Sequence, residues 1–206
     1  MQKEVIILGA GGHAKVIAES ILKSGDEVIG FLDDNEEIQG KEIYLGRKVL
    51  GKTSEVVNYQ DKYVIIGIGS NIVRKMIAEK YPNLNWYTAI HPSAIIAQDV
   101  VIGEGSAIMP GVVINPGTVI GRHAIINTAT TLDHDNVIGD YVHISPGTHL
   151  AGTVIVGENC WICTGVTIIN NINIAPNNIV GAGAVVLHDI TDQNSTYVGV
   201  PIRKVK

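Results

Sequence analysis

Aliphatic residues recur at every sixth position from Ile90 to Val186 without interruption. The series runs Ile90, Ile96, Ile102, Ile108, Ile114, Ile120, Ile126, Leu132, Ile138, Ile144, Leu150, Val156, Ile162, Ile168, Ile174, Val180 and Val186. Four residues after most of them stands a small or β-branched residue, among them Ala94, Ser106, Thr118, Thr130 and Cys160. Asn136 and Asn178 depart from that rule. A six-residue period predicts a β-helix. The i+4 residue and the next aliphatic are two apart, so they share one face of a short strand, and that face points into a prism. The other residues turn a corner, which accounts for the Gly, Asn, Asp and Pro found there. Three hexads make one coil of about eighteen residues, which gives about five stacked coils.

Residues 1–88 follow a different rhythm. Val5–Leu8, Val28–Leu32 and Tyr63–Ile68 read as strands, and helical patterns run from about His13 to Leu22 and from Asn71 to about Lys80. Strands alternating with helices predict a parallel α/β sheet of Rossmann-like type. The chain thus divides into an α/β domain over 1–88 and a β-helix with a C-terminal tail over 89–206. Gly-rich turns follow two of the strands, Gly9-Ala10-Gly11-Gly12 and Gly67-Ile68-Gly69-Ser70-Asn71. Ligands of such sheets bind at the carboxyl ends of the strands.

Composition adds exclusions. Across 206 residues there are 23 Gly and one Phe, which suits thin repetitive β structure better than a bulky aromatic core. The net charge of −5 and the absence of a basic stripe argue against a nucleic-acid partner. No apolar run approaches a membrane span. The short apolar run after Met1 carries no small-residue cleavage site, so no signal peptide is expected and the cytoplasm is the expected compartment.

The hexad places each histidine of the repeat. His134 lies two after Leu132, at a corner, within Asp133-His134-Asp135. A carboxylate beside an imidazole fixes its tautomer and raises its basicity, as a general base requires. One coil on stands Gly152, which is expected to leave open space beside the imidazole and to expose a backbone N–H able to bind an oxyanion. His143, half a coil from His134, points outward on the opposite face, so the two can meet only between subunits. His123, His149 and His188 read as plain surface residues. The Gly9-x-Gly11 turn suits phosphate, although the third position of the dinucleotide pattern is Ala14. Asp33-Asp34 ends the second strand, where an acid can meet a ribose. Cys160-x-x-Cys163 alternates across a strand with no second pair, so it reads as structural and no metal is expected.

Together, Ile7-Leu8-Gly9-Ala10-Gly11-Gly12-His13-Ala14-Lys15, Gly30-Phe31-Leu32-Asp33-Asp34, Gly67-Ile68-Gly69-Ser70-Asn71, Ile126-Asn127-Thr128 through His134, and Tyr197-Val198-Gly199-Val200-Pro201 resemble one subfamily. It is the NeuD/PglD-like sugar O/N-acyltransferases of the hexapeptide-repeat class. The resemblance implies a left-handed prism, a homotrimer with acetyl-CoA between subunits, and N-acetylation of a nucleotide-linked (UDP) 4-amino-4,6-dideoxy sugar. It further implies His134 as base beside Asp135, and Gly152 as oxyanion donor. Substrate contacts are implied for Gly11, Gly12, His13, Lys15, Asp33, Asp34, Gly69, Asn71 and Asn127. Acetyl-CoA contacts are implied for His143, Gly152, Gly181 and Gly183. The rival readings are O-acetylation of a sialic acid, a non-catalytic sugar-nucleotide binder, and a metal-dependent hydratase, whose His spacing is not matched here.

Overall fold

The computed structural model describes residues 2–206. The first part is a six-stranded sheet. Its strands are β1 (Glu4–Leu8), β2 (Glu27–Leu32), β3 (Glu42–Tyr44), β4 (Arg47–Gly51), β5 (Tyr63–Ile66) and β6 (Asn85–Trp86). They lie in the order β3-β4-β2-β1-β5-β6, parallel except for the β3–β4 hairpin. Helices α1 (Gly12–Lys23) and α2 (Asn71–Lys80) follow β1 and β5. Val5, Ile6, Ile7 and Leu8 are all fully buried, as a central parallel strand covered on both faces must be. The short elements escape the sequence pattern, β6 among them. The β3–β4 hairpin turns at Leu45-Gly46, both at positive φ, and a 3-10 helix spans Thr53–Tyr59. The strand read as Tyr63–Ile68 is shorter in the structure: it ends at Ile66, with Gly67 N–H still donating to Leu8 O.

The second part is the predicted β-helix. Each of the seventeen aliphatics is the second residue of a two-residue strand, and each strand pairs in parallel with those one coil away, as in Ala107↔Ile125↔His143. The strands form three faces. The first carries Ile125–Ile126, His143–Ile144, Trp161–Ile162 and Ile179–Val180. The second carries Val113–Ile114, Thr131–Leu132, His149–Leu150 and Thr167–Ile168. The third carries Val119–Ile120, Val137–Ile138 and Ile155–Val156. From Ile108 onward the repeating aliphatics are buried, whereas Ile90, Ile96 and Ile102 line the open first coil.

The corner between the third and first faces is built for close approach. A Cβ on Gly103, Gly121, Gly139 or Gly157 would lie within 2.5–2.6 Å of backbone in the next coil. Helix α2 docks along this corner. The Arg74 guanidinium, 1% exposed, donates to His123 O, Gly69 O and Tyr141 O. Asn71 Nδ2 donates to Cys160 O at 2.9 Å, and Lys75 pairs with Glu158. These bonds fix the second Gly-rich turn against the first face of the prism.

Candidate functional site

The first cluster lies on the corner between the second and third faces. His134 Nδ1 stands 2.8 Å from Asp135 Oδ2, and the two side chains are 58% and 64% exposed. The hydrogen bond to Asp135 raises the imidazole pKa above its ordinary value. With Asp135 accepting from Nδ1–H, Nε2 remains a free acceptor for a proton. Of the two flanking acids, Asp135 binds the ring, and Asp133 does other work. Asp133 Oδ1 accepts from His134 N at 2.9 Å and from Asn115 Nδ2 at 2.8 Å, and these bonds lower its pKa.

Gly152 lies directly beneath the imidazole. A Cβ there would be 2.5 Å from both Cε1 and Nε2 of His134. The expectation of open space is therefore corrected: the ring itself fills that space, and Gly152 is buried rather than exposed. Among the described residues its N–H makes no hydrogen bond, while its carbonyl accepts from Asn171 N. Beside the corner a cavity of about 450 Å³ opens along the second face, lined by Asn115, Asp133, His149 and Ala151.

The second cluster lies where the α/β sheet meets the first face of the prism. Three turns converge at the carboxyl edge of the sheet. Gly9 N donates to Leu32 O, Gly67 N to Leu8 O, and Ala10 N to Asp33 Oδ2 at 2.8 Å. Gly11 and Gly12 have nothing within 4 Å of a Cβ position, so a ligand can approach their backbone. Lys15 is exposed on α1. The acids are already partly engaged, since Asp33 Oδ1 takes Asn35 N and Asp34 Oδ1 takes Thr53 N.

His13 and His143 face each other across the junction, with ring centroids 6.2 Å apart. Burial, helped by the Arg74 charge, pushes His13 down to about 4 and His143 to about 3, so both are neutral at pH 7. His13 Nε2 is buried without a partner. Asn127 Nδ2 lies 3.0 Å from His143 Nε2, which joins two residues assigned to different ligands in the sequence. Gly69, Asn71, His143 and Trp161 line a cavity of about 570 Å³ here. On the same prism edge as Asn127 are Gly181, held against Val198, and Gly183, at φ +68° with nothing within 4 Å of a Cβ position.

The topology keeps His134 and His143 on opposite sides of one prism, as the half-coil spacing requires. His123 is a correction. It is not a surface residue but 2% exposed, stacked on Tyr141 at 5.6 Å and edge-on to Trp86 at 4.7 Å. The sequence hid this because the covering surface, α2 and Trp86, comes from the other part of the chain. His149 and His188 are exposed, as read. Arg74 escaped the sequence reading, since a lone arginine in a helix gives no sign of burial. Among the described residues no group of three or more His, Cys, Asp or Glu is arranged to hold a metal ion, and no helix is long and apolar enough to cross a membrane.

Family profiles match both parts. The PglD N-terminal domain covers residues 4–81, and the six-repeat bacterial transferase hexapeptide covers residues 93–134. Among solved structures, a histidine-to-asparagine variant of perosamine N-acetyltransferase from Caulobacter crescentus, in complex with CoA and GDP-perosamine, superposes with a TM-score of 0.92. It is 35% identical, over 98% of this chain and 97% of that one. The acetyltransferase domain of PglB from Neisseria gonorrhoeae, in complex with acetyl coenzyme A, gives a TM-score of 0.92 at 33% identity over 100% of both chains. Among curated proteins, UDP-N-acetylbacillosamine N-acetyltransferase of Bacillus subtilis is 42% identical over 110 residues, 50% of each chain. An uncharacterized protein of Acanthamoeba polyphaga mimivirus is 34% identical over 102 residues, 50% of this chain and 20% of that protein. The matched segment therefore spans half or less of these curated relatives.

Proposed function

The chain belongs to the PglD-like subfamily of hexapeptide-repeat sugar acyltransferases, and from that premise we propose that it transfers acetyl from acetyl-CoA to the amine of a nucleotide-linked 4-amino-4,6-dideoxy sugar. The observation that carries the chemistry is the His134–Asp135 pair, 2.8 Å apart on an exposed corner, with Gly152 stacked beneath the ring. The sugar half of the reading draws on the three convergent turns of the α/β sheet. It draws also on relatives whose names specify a UDP-linked and a GDP-linked amino sugar. UDP is the nucleotide we assign.

His134 Nε2 accepts a proton from the amine as the nitrogen attacks the thioester carbonyl. Asp135 holds Nδ1–H and stabilises the imidazolium that forms. The unbonded Gly152 N–H is the donor for the oxyanion. Attack forms the C–N bond; collapse of the tetrahedral species restores the carbonyl and breaks C–S, and the CoA sulfur leaves with the proton held by His134. The transfer is direct. Cys160, buried within the prism, has its thiol pushed up to about 11 by burial and plays no part as a nucleophile.

The nucleotide sugar lies along Gly11, Gly12, His13, Lys15, Asp33, Asp34, Gly69, Asn71 and Asn127. Acetyl-CoA contacts His143, Gly152, Gly181 and Gly183. Because His134 and the nucleotide turns occupy opposite sides of one prism, each active site takes its base from one subunit and its sugar pocket from the next, within a homotrimer. The exposed aliphatics Val101, Val119, Val137 and Ile155, stacked on the third face, support self-association. The test is thiol release from acetyl-CoA across a panel of UDP- and GDP-linked 4-amino sugars, with free sialic acid alongside. Turnover confined to the amino sugars is the expected result. Turnover on sialic acid alone refutes the amine as acceptor, and no turnover on any member refutes the activity.

A further inference from the structure

Asn136 breaks the inward rule of the repeat, and what it does instead concerns the corner that carries His134. At most other coils the slot four residues after an aliphatic holds a small or β-branched residue. Where that small residue carries a hydroxyl or thiol, it donates to a carbonyl fifteen residues ahead, in the next coil. Ser106 reaches Gly121 O, Thr118 reaches Asp133 O, Thr130 reaches Ser145 O, Thr148 reaches Cys163 O and Cys160 reaches Ala175 O. By that rule Asn136 would reach Ala151 O. It does not. Its Nδ2 turns back to its own corner and donates to Asp133 O at 2.6 Å, while its Oδ1 accepts from Val154 N at 2.8 Å.

Two consequences follow. Asp133 O receives two inward donors, Thr118 at 3.1 Å and Asn136, so the peptide entering His134 is anchored twice. The chain leaving Gly152 is held as well, through Val154 to Asn136 and through Thr153 N to His134 O at 2.9 Å. The Ala151 carbonyl, the other end of the peptide that contains the Gly152 N–H, receives no such tether among the described residues. Asn136 is fully buried.

We propose that Asn136 is a positioning residue for acetyl transfer: one amide fastens the base's corner to the coil of Gly152 and sets the spacing between them. The proposal rests on the reading of His134 as base and Gly152 as oxyanion donor. Asn178 gives an internal control. It fills the same slot, donates to Ala175 O and also to Asp192 O in the next coil, and accepts from Ser195 N, at a corner that carries no catalytic group.

The experiment is steady-state kinetics on assembled N136T, N178T and H134A beside the unmodified protein, with thermal melting of each. Threonine is the residue the slot holds at positions 118, 130 and 148, so N136T is expected to melt near the unmodified protein. Its hydroxyl is drawn to Ala151 O and the second anchor on Asp133 is lost. The expected result is a kcat lowered about tenfold or more with KM for both substrates unchanged, and no change in kcat for N178T. Unchanged kcat in N136T overturns the proposal, and so does an equal fall in N178T. If N136T does not assemble, N136S is measured in its place. Failure of both to assemble overturns the proposal by assigning Asn136 to the fold alone. Normal turnover in H134A instead sinks the underlying reading of the base, which keeps the two failures distinct.

Discussion

Replacing Gly152 by alanine tests the stacked corner with the smallest possible change. Gly152 needs no left-handed backbone, since its φ lies outside the positive region. Alanine is therefore conformationally acceptable there, and the fold should persist. The side chain, however, arrives where His134 already is. The new Cβ would stand 2.5 Å from Cε1 and Nε2 and 3.0 Å from Nδ1. Carbon contacts normally begin near 3.5 Å, so ring or backbone must shift by about 1 Å. Such a shift stretches the 2.8 Å bond to Asp135 and moves Nε2 off line. A displacement of that size at a catalytic group costs on the order of 100-fold in rate, about 2.7 kcal/mol. The assay is thiol release at saturating acetyl-CoA, with thermal melting to show that the fold is intact. Because the damage acts through His134, Gly152→Ala added to His134→Ala should cost almost nothing further. A Gly152→Ala enzyme with near-normal kcat would refute the stacking argument, and full additivity in the double variant would refute its route through the imidazole.

Three further outcomes are expected. Asp135→Asn removes the hydrogen bond that holds the His134 pKa up, and the base must be neutral to act, so the acidic limb of the kcat/KM profile should move to lower pH while the plateau falls; an unmoved limb would contradict the pairing. His13, His123 and His143 are held neutral, with folded pKa values of about 4, 4 and 3 against 6.5 for an unfolded histidine. The unfolded chain therefore binds more protons below pH 6.5, so stability is full above that value and declines from there toward pH 4, which denaturant titrations at several pH values will measure; a flat profile would contradict the burial of these rings. Finally, mixing His134→Ala chains with His13→Ala chains should restore turnover, since mixed trimers contain sites with an intact base from one chain and an intact turn from the other; absence of recovery in verified mixed trimers argues for a site within one chain.

The prism was legible because its signal is local and repeated. An aliphatic at every sixth position allows one arrangement that turns them all inward, and the seventeen strands fall on those residues. The same ruler located His134 over Gly152 and set His143 half a coil away. What it could not supply was anything contributed from a distance in sequence. His123 occupies a corner that would be exposed on an isolated prism, yet Trp86 and α2 cover it. Arg74 lies on a helix of ordinary composition, and only the docking of that helix makes its guanidinium a buried clamp. The β3–β4 hairpin was missed for a different reason. Its turn, Leu45-Gly46, places a leucine at φ 45°, a conformation that leucine does not advertise. Asp33 and Asp34 were visible as an acidic pair, but their bonds to Ala10, Asn35 and Thr53 amides appear only once the turns are assembled.

The central claim is that this chain acetylates an amine with His134 as the base. It is tested most directly by incubating acetyl-CoA and the best nucleotide amino sugar with the unmodified protein and with His134→Ala, and identifying the product by mass spectrometry and NMR. The account predicts a single acetyl group on the sugar nitrogen with the unmodified protein. His134→Ala should keep the fold and assembly of the unmodified protein, bind both substrates and yield almost no product. Comparable yield from His134→Ala, or an acetyl group found on a hydroxyl, would contradict it.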